Sequence, residues 1–157
     1  MAYICVITSR FKFLLRRIKQ HKIMKKLKIS FDFDGTMSES RVQEYALELI
    51  ERGIDVWVCT SRYSEENKHK YPLNPSNDDM YMVTDVIGIP REKIIFTDRC
   101  IKANHLDGFL WHLDDISIEI DNINISDISC VGVSVLSSFK LLCEKLIRNY
   151  ERINNRL

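Results

Sequence analysis

At 157 residues, 45% hydrophobic and 29% charged, the chain has the length and balance of one globular domain with its own core, which excludes disordered and fibrous classes. No apolar run approaches the roughly 20 residues that cross a bilayer, so a transmembrane helix is excluded as well. The net charge of +1 conceals an asymmetry: residues 1–31 hold nine Lys or Arg and no acid, leaving 14 of the 23 basic residues against all 22 acidic ones, a balance of −8.

The basic segment "SRFKFLLRRIKQHKIMKK" places Phe11, Leu14, Leu15 and Ile18 on one helical face. That pattern suits a membrane-surface helix, a nucleic-acid-binding helix or a transit peptide. It does not suit a secretory signal, because its charges follow the apolar "YICVI" instead of preceding it. Set against these is a plain extension, residues 1–23, with the domain occupying 24–157 and starting near Met24 in "MKKLKISFDFDGT". The five cysteines (Cys5, Cys59, Cys100, Cys130, Cys143) are odd in number and form no C-x-x-C pair. They read as reduced, mostly buried thiols in a cytoplasmic protein, with neither a disulfide framework nor a zinc site.

An opening strand is expected over about 27–33. Ser40-x-x-Gln43 then has the form of a capping box, and Val42, Ala46, Leu49 and Ile50 repeat at helical spacing up to Gly53, a residue suited to a left-handed helix end. "DVWVCTSR" is a second strand, with Trp57 inside it. The polar stretch 63–77, with two prolines, is expected as a loop. "DDMYMVTDVIG" is a helix ending at Gly88, "KIIFTD" a third strand, and a short helical segment carries Lys102. "GFLWHLDD" is a fourth strand with Trp111 in its core, "ISCVGVSV" a fifth, and 137–155 a closing helix with Phe139, Leu142, Leu146 and Tyr150 facing the core. Strands alternating with helices imply an α/β fold: a Rossmann-like, doubly wound, mainly parallel five-stranded sheet with helices on both faces. Function in such sheets gathers at the carboxyl ends of the strands, and there the sequence puts Asp32, Asp34, Thr60, Asp114 and Asp115.

Two acids after one strand and two after another are too negative to stand alone. A hard divalent cation fits, and Mg²⁺ in particular favours one or two carboxylates plus substrate phosphate oxygens. A calcium-binding EF-hand loop fails on spacing, since counting from Asp32 its obligatory glycine and glutamate positions hold Met37 and Gln43. The plain alternative is an Asp-Gly turn after a strand.

These residues resemble the motifs of the haloacid-dehalogenase-like (HAD) phosphohydrolases. "DFDGT" looks like the family's first motif, "VWVCTSR" its second, Lys102 its third and "FLWHLDD" its fourth, in order over about residues 27–116. The resemblance implies a Mg²⁺-dependent phosphatase that hydrolyses a phosphomonoester through an aspartyl phosphate. Asp32 would be the nucleophile and Asp34 the general acid and base. Thr60, favoured over Ser61, would bind a phosphoryl oxygen, and Lys102 would neutralise charge. Asp32, Asp34 (through its backbone carbonyl), Asp115 and Asp114 would hold the metal, with Asp115 the expected direct ligand and Asp114 behind it. Arg62 is set between holding a substrate phosphate and being a solvated loop residue. Lys102 has Arg99 as a near neighbour that could be mistaken for it, and His105 and His112 are expected as packing or surface residues.

Only 24 positions separate Thr36 from Thr60, and the interval from "FTD" to Lys102 is shorter. The resembling family inserts lid domains at those two places, so no cap domain is expected. An open site admits a small phosphorylated molecule or a macromolecular end, or is closed by a partner subunit in a homo-oligomer. Two alternatives stand beside the phosphatase: a nucleic-acid end phosphatase or nucleotidase aided by residues 1–23, and a non-catalytic phosphate-binding regulatory protein.

Overall fold

A computed structural model describes residues 26–70, 73, 75–136 and 138–154. The basic extension and the domain boundary near Met24 lie outside the described residues, as does Cys5. The elements run β1 (Lys28–Phe31), α1 (Ser40–Glu51), β2 (Asp55–Thr60), α2 (Glu65–Lys68), α3 (Asp78–Ile87), β3 (Ile94–Phe96), β4 (Trp111–Asp114), α4 (Ser117–Ile125), β5 (Val131–Ser134) and α5 (Phe139–Asn154). One-turn 3₁₀ segments cover Arg91–Lys93 and Lys102–His105.

All five strands are parallel, in the order β3-β2-β1-β4-β5. Parallel neighbours need crossovers, and the crossovers cover both faces. On one face α1, α3 and α5 bury Val42, Tyr45, Leu49, Met80, Ile87, Phe139, Cys143 and Ile147 against Ile29, Phe31, Val56, Val58, Trp111 and Leu113. Phe31 meets Trp111 edge-on, with ring centroids 5.2 Å apart, and Tyr45 stacks over the same indole. On the other face the Lys102–His105 turn and α4 bury Ala103, Leu106 and Ile123 with Cys59, Phe109 and Cys130. The doubly wound α/β architecture follows, and strand order reverses between β1 and β4. That is the place where such sheets open a crevice at their carboxyl ends.

Both helix-ending glycines behave as their positions predict. Gly53 has φ +80° and Gly88 φ +82°. In each case the residue after the glycine donates to the carbonyl five positions back, Ile54 to Leu49 and Ile89 to Thr84, closing a Schellman motif. α1 alone fills the interval between the β1 turn and β2, and no lid is inserted there.

Four expectations are corrected. Ser40 is the first helical residue, so Glu39 occupies the cap position and no capping box forms. Gln43 Nε2 donates instead to the carbonyls of Met37 and Ser38. The 63–77 stretch contains the one-turn α2. The buried stripe of α5 is Phe139, Cys143 and Ile147 with Leu146 beside it, whereas Leu142 is 45% exposed; spacing alone leaves a helix free to rotate by about one position. Finally, α4 is a helix that periodicity did not reveal. Its sequence "SIEIDNINI" alternates as a strand would, yet a parallel β4–β5 pair requires a crossover between them.

Among the described residues no helix is long and apolar enough to cross a membrane. Cys59, Cys130 and Cys143 are free and buried, and Cys100 is free and exposed.

Candidate active site

The site begins with strand alternation. Ile29 and Phe31 of β1 face the large core, so Ser30 faces the second layer. In β4, Trp111 and Leu113 face the large core, so His112 and Asp114 turn to that second layer too. Ser30 and His112 are register partners, and Ser30 Oγ lies 2.9 Å from His112 Nδ1. Asp32 extends the ladder one step, its amide donating to the Leu113 carbonyl at 2.8 Å. The chain then leaves in a wide turn, with Ser38 N donating to Phe33 O at 2.9 Å and Met37 N to Asp32 O at 3.1 Å. Gly35 is required in that turn twice over. Its φ is +69°, and a Cβ there would collide with the Asp115 carboxylate.

Lys102 arrives from the turn after β3. The loop before it is bound to the end of β2: Thr97 N donates to Thr60 O at 2.9 Å and Arg99 N to Ser61 O at 3.1 Å. Asp98 and Arg99 hold positive φ, 50° and 69°. The Asp98 carboxylate secures this conformation by accepting the Ser64 amide and the Asn67 side-chain amide. Lys102 is fully buried. Its ammonium donates to Asp32 Oδ1 and to Asp114 Oδ2, both at 2.7 Å. The helix missed in the sequence helps here, since Glu119 of α4 accepts the Lys102 amide at 3.4 Å. Arg99, by contrast, is exposed, so of these two neighbours Lys102 is the one buried in the site.

Charge in this cluster is unevenly shared. Burial pushes the Asp32 carboxyl up to about 7, with Asp114 adding to the rise and Lys102 opposing it. For Asp114 burial also acts upward, but the His112 hydrogen bond and Lys102 outweigh it and hold the group down at about 2. Burial acts to lower the Lys102 pKa, and the Asp32 and Asp114 carboxylates reverse that, leaving it raised. Burial lowers His112, so its ring is neutral. With Asp114 ionised and able only to accept, His112 Nε2, 3.1 Å away, carries the proton, and Nδ1 accepts from the Ser30 hydroxyl. His112 is therefore part of a buried polar chain, Ser30–His112–Asp114–Lys102–Asp32, and not a surface residue. The H-x-D alternation within β4 was its only trace in the sequence. His105 is exposed.

Asp32, Asp114 and Asp115 each offer a carboxylate oxygen within 4.8 Å of the others. Both oxygens of Asp114 are already engaged, Oδ2 by Lys102 and His112 and Oδ1 by the Ile116 amide at 2.9 Å. Asp115 Oδ1 is buried with no hydrogen-bond partner among the described residues. Burial, with Asp114 and Asp34 nearby, raises the Asp115 pKa. A carboxylate oxygen buried without a donor is costly. Three acids against one ammonium leave a net deficit of positive charge that a divalent cation would offset. The donor set is all oxygen, as Mg²⁺ requires, and the residues fit such an ion.

Of the residues at the end of the second strand, Arg62 departs from one of its two expectations. Thr60 is fully buried at the end of β2, and its Oγ1 accepts the Arg62 amide at 3.3 Å. Ser61 is half-buried. Arg62 is not a solvated loop residue, being 6% exposed. Its guanidinium lies over the Phe33 ring, 4.7 Å from the centroid. Nε and Nη2 donate to the two oxygens of Asp34 at 2.9 and 2.6 Å. Nη1 and Nη2 donate to the two oxygens of Asp79 at 2.5 and 2.9 Å, and Nη1 donates also to the Ser76 carbonyl at 2.9 Å. Asp79, at the start of α3, has no sequence signal beyond being an acid in a first helical turn.

Comparison of the chain with protein-family models, with curated proteins and with solved structures gives no match.

Proposed function

We propose that the chain is a HAD-like, Mg²⁺-dependent phosphatase that hydrolyses a phosphomonoester through a phosphorylated Asp32. The observation that carries this reading is the Lys102 ammonium held at 2.7 Å by both Asp32 and Asp114, beside a third acid, Asp115, whose Oδ1 has no protein partner among the described residues. A purely structural ion pair would not need an additional carboxylate with a buried, unpartnered oxygen beside it, because each uncompensated charge costs stability.

Asp32 attacks phosphorus through a carboxylate oxygen. The bond from phosphorus to the ester oxygen breaks, its electron pair goes to that oxygen, and Asp34 delivers a proton there. Water then attacks the same phosphorus, Asp34 takes its proton, and the bond to Asp32 breaks to release inorganic phosphate. Lys102, itself fully buried, lowers the cost of negative charge on Asp32 and on the phosphoryl oxygens. Asp114, with His112 and Ser30 behind it, holds Lys102 in place. Asp32 and Asp115 would be the direct carboxylate ligands of Mg²⁺, with Asp114 one layer back. When bound, the ion supplies charge neutralisation at the phosphate.

The test separates the two aspartates of the β1 turn. Asp32→Asn abolishes turnover and any covalent adduct. Asp34→Asn keeps the nucleophile, so an activated ester such as p-nitrophenyl phosphate still phosphorylates Asp32 but hydrolysis stalls, with a rate loss of about 10²- to 10⁴-fold. Acid quench and intact-mass measurement then show an adduct of about 80 Da that maps to Asp32. Near-native turnover in Asp34→Asn, or an adduct that persists in Asp32→Asn, would refute the mechanism.

A further inference from the structure

Arg62 has five N–H groups, and all five are used. The two carboxylates it joins are not equivalent. Asp79 Oδ1 also accepts the Met80 amide at 2.8 Å, and the adjoining Nη1 is fixed to the Ser76 carbonyl. Both carboxylates are about equally exposed, 59% for the Asp34 side chain and 55% for Asp79, but Asp34 has only Arg62 as its hydrogen-bond partner among the described residues. The Asp79 side of the guanidinium is thus tied to the start of α3 by further hydrogen bonds, whereas the Asp34 side is held by the fork alone. Phe33 under the guanidinium plane keeps that edge aimed at the β1 turn.

A donor-only fork matches a carboxylate with two accepting oxygens. Asp34 must leave it before carrying a proton to a leaving group, and the vacated edge then presents two N–H donors to an acceptor that enters the crevice. A singly charged oxyanion with two free oxygens replaces Asp34 without changing the local charge. Resting on the phosphatase reading above, we propose that the Nε/Nη2 edge of Arg62 is a second anion site for the substrate. The substrate carries a carboxylate or a phosphodiester a few atoms from the scissile phosphate; that group takes the fork from Asp34, and Asp34 is thereby released to serve the ester oxygen. Arg62 is on this account a specificity-determining residue, and Asp79 positions it.

Three probes at saturating Mg²⁺ test this: phenyl phosphate, with no second anion; 2-phosphoglycolate, with a neighbouring carboxylate; and a 5′-phosphorylated dinucleotide, with a neighbouring phosphodiester. The wild-type protein hydrolyses at least one anion-bearing probe with a kcat/KM about tenfold to a hundredfold above phenyl phosphate, the scale of a charge-assisted fork. Whichever of the two is preferred identifies the source of the anion. Arg62→Lys keeps the charge but loses the fork, and the preference collapses to near unity. Added formate or dimethyl phosphate accelerates phenyl phosphate turnover in the wild type and not in Arg62→Lys. Turnover of all three probes at equal kcat/KM by the wild-type protein overturns the second anion site while leaving the phosphatase intact, and this comparison needs no variant to fold. A preference that survives Arg62→Lys overturns it equally. Failure of the folded, Mg²⁺-supplied protein to hydrolyse any of the three overturns the phosphatase reading itself.

Discussion

Replacing Lys102 by Met removes the ammonium while keeping most of the side chain's volume, so the change isolates charge from packing. In the native protein that ammonium is fully buried between Asp32 and Asp114. Without it the two carboxylates face each other in the interior, with the His112 N–H and the Ile116 amide still donating to Asp114 but no cation between them. Removing one partner of a buried ion pair costs about 3–5 kcal/mol, because a charge is left uncompensated. At about 3–4 °C per kcal/mol for a chain of this size, the melting temperature should fall by about 10–20 °C. The loss should depend on pH with a definite sign. Asp32 has a folded pKa of about 7 against an ordinary 3.8, and losing Lys102, which opposes that rise, moves it higher. Near pH 5 Asp32 is protonated and the variant lacks one of its two repelling charges; near pH 8 the fold either carries both charges or holds Asp32 protonated against the solution pH, and either costs stability. Thermal melts followed by circular dichroism at pH 5 and pH 8, without metal, measure this directly. Mg²⁺ should recover part of the stability at pH 8 but not turnover. A variant melting within about 3 °C of the wild type at pH 8, or one whose loss is the same at both pH values, would show that Lys102 does not compensate the two acids in the way its geometry implies.

The two acids at the end of β4 should fail in different ways. Asp115→Asn should weaken Mg²⁺ binding by more than the roughly 10- to 100-fold typical of a group behind the ligands, with little loss of metal-free stability. Asp114→Asn should show the smaller effect on Mg²⁺ but lose about 3–5 kcal/mol of stability, because Lys102 loses one of its two carboxylates and an amide N–H₂ replaces an accepting oxygen; calorimetric titration and chemical denaturation separate these, and a reversed order in either refutes the assignment. The stabilisation given by Mg²⁺ should itself rise with pH. Because the Asp32 pKa is raised, the metal-free fold holds a proton that the unfolded chain has lost, so its stability declines as pH climbs from about 4 to about 7. Mg²⁺ replaces that proton, so its upward shift of the melting temperature should be small at pH 5 and large at pH 8. Equal shifts at both would contradict the reading of Asp32.

Local sequence was enough to place Asp32, Asp34, Thr60, Asp114 and Asp115 at strand ends, because an apolar run followed by polar residues marks where a buried parallel strand emerges. It also marked Gly53 and Gly88, whose left-handed conformation is a property of one residue and its nearest neighbours. Local sequence misread what depends on the facing surface. Ile118 and Ile125 of α4 are 62% and 82% exposed while Ile123 is buried, so its alternating isoleucines do not report its buried face, and the helix exists because β4 and β5 are parallel neighbours. The pairings inside the site were equally out of reach. Lys102 meets Asp32 across 70 positions, Arg62 meets Asp34 across 28, and Ser30 meets His112 across 82. Periodicity states which side of its own strand a residue occupies. It does not state which strand lies alongside, and only the order β3-β2-β1-β4-β5 brings the side chains of β1 and β4 together over the Lys102 turn. That order is fixed by how whole layers bury their apolar faces, a property of the packed chain that no short segment contains.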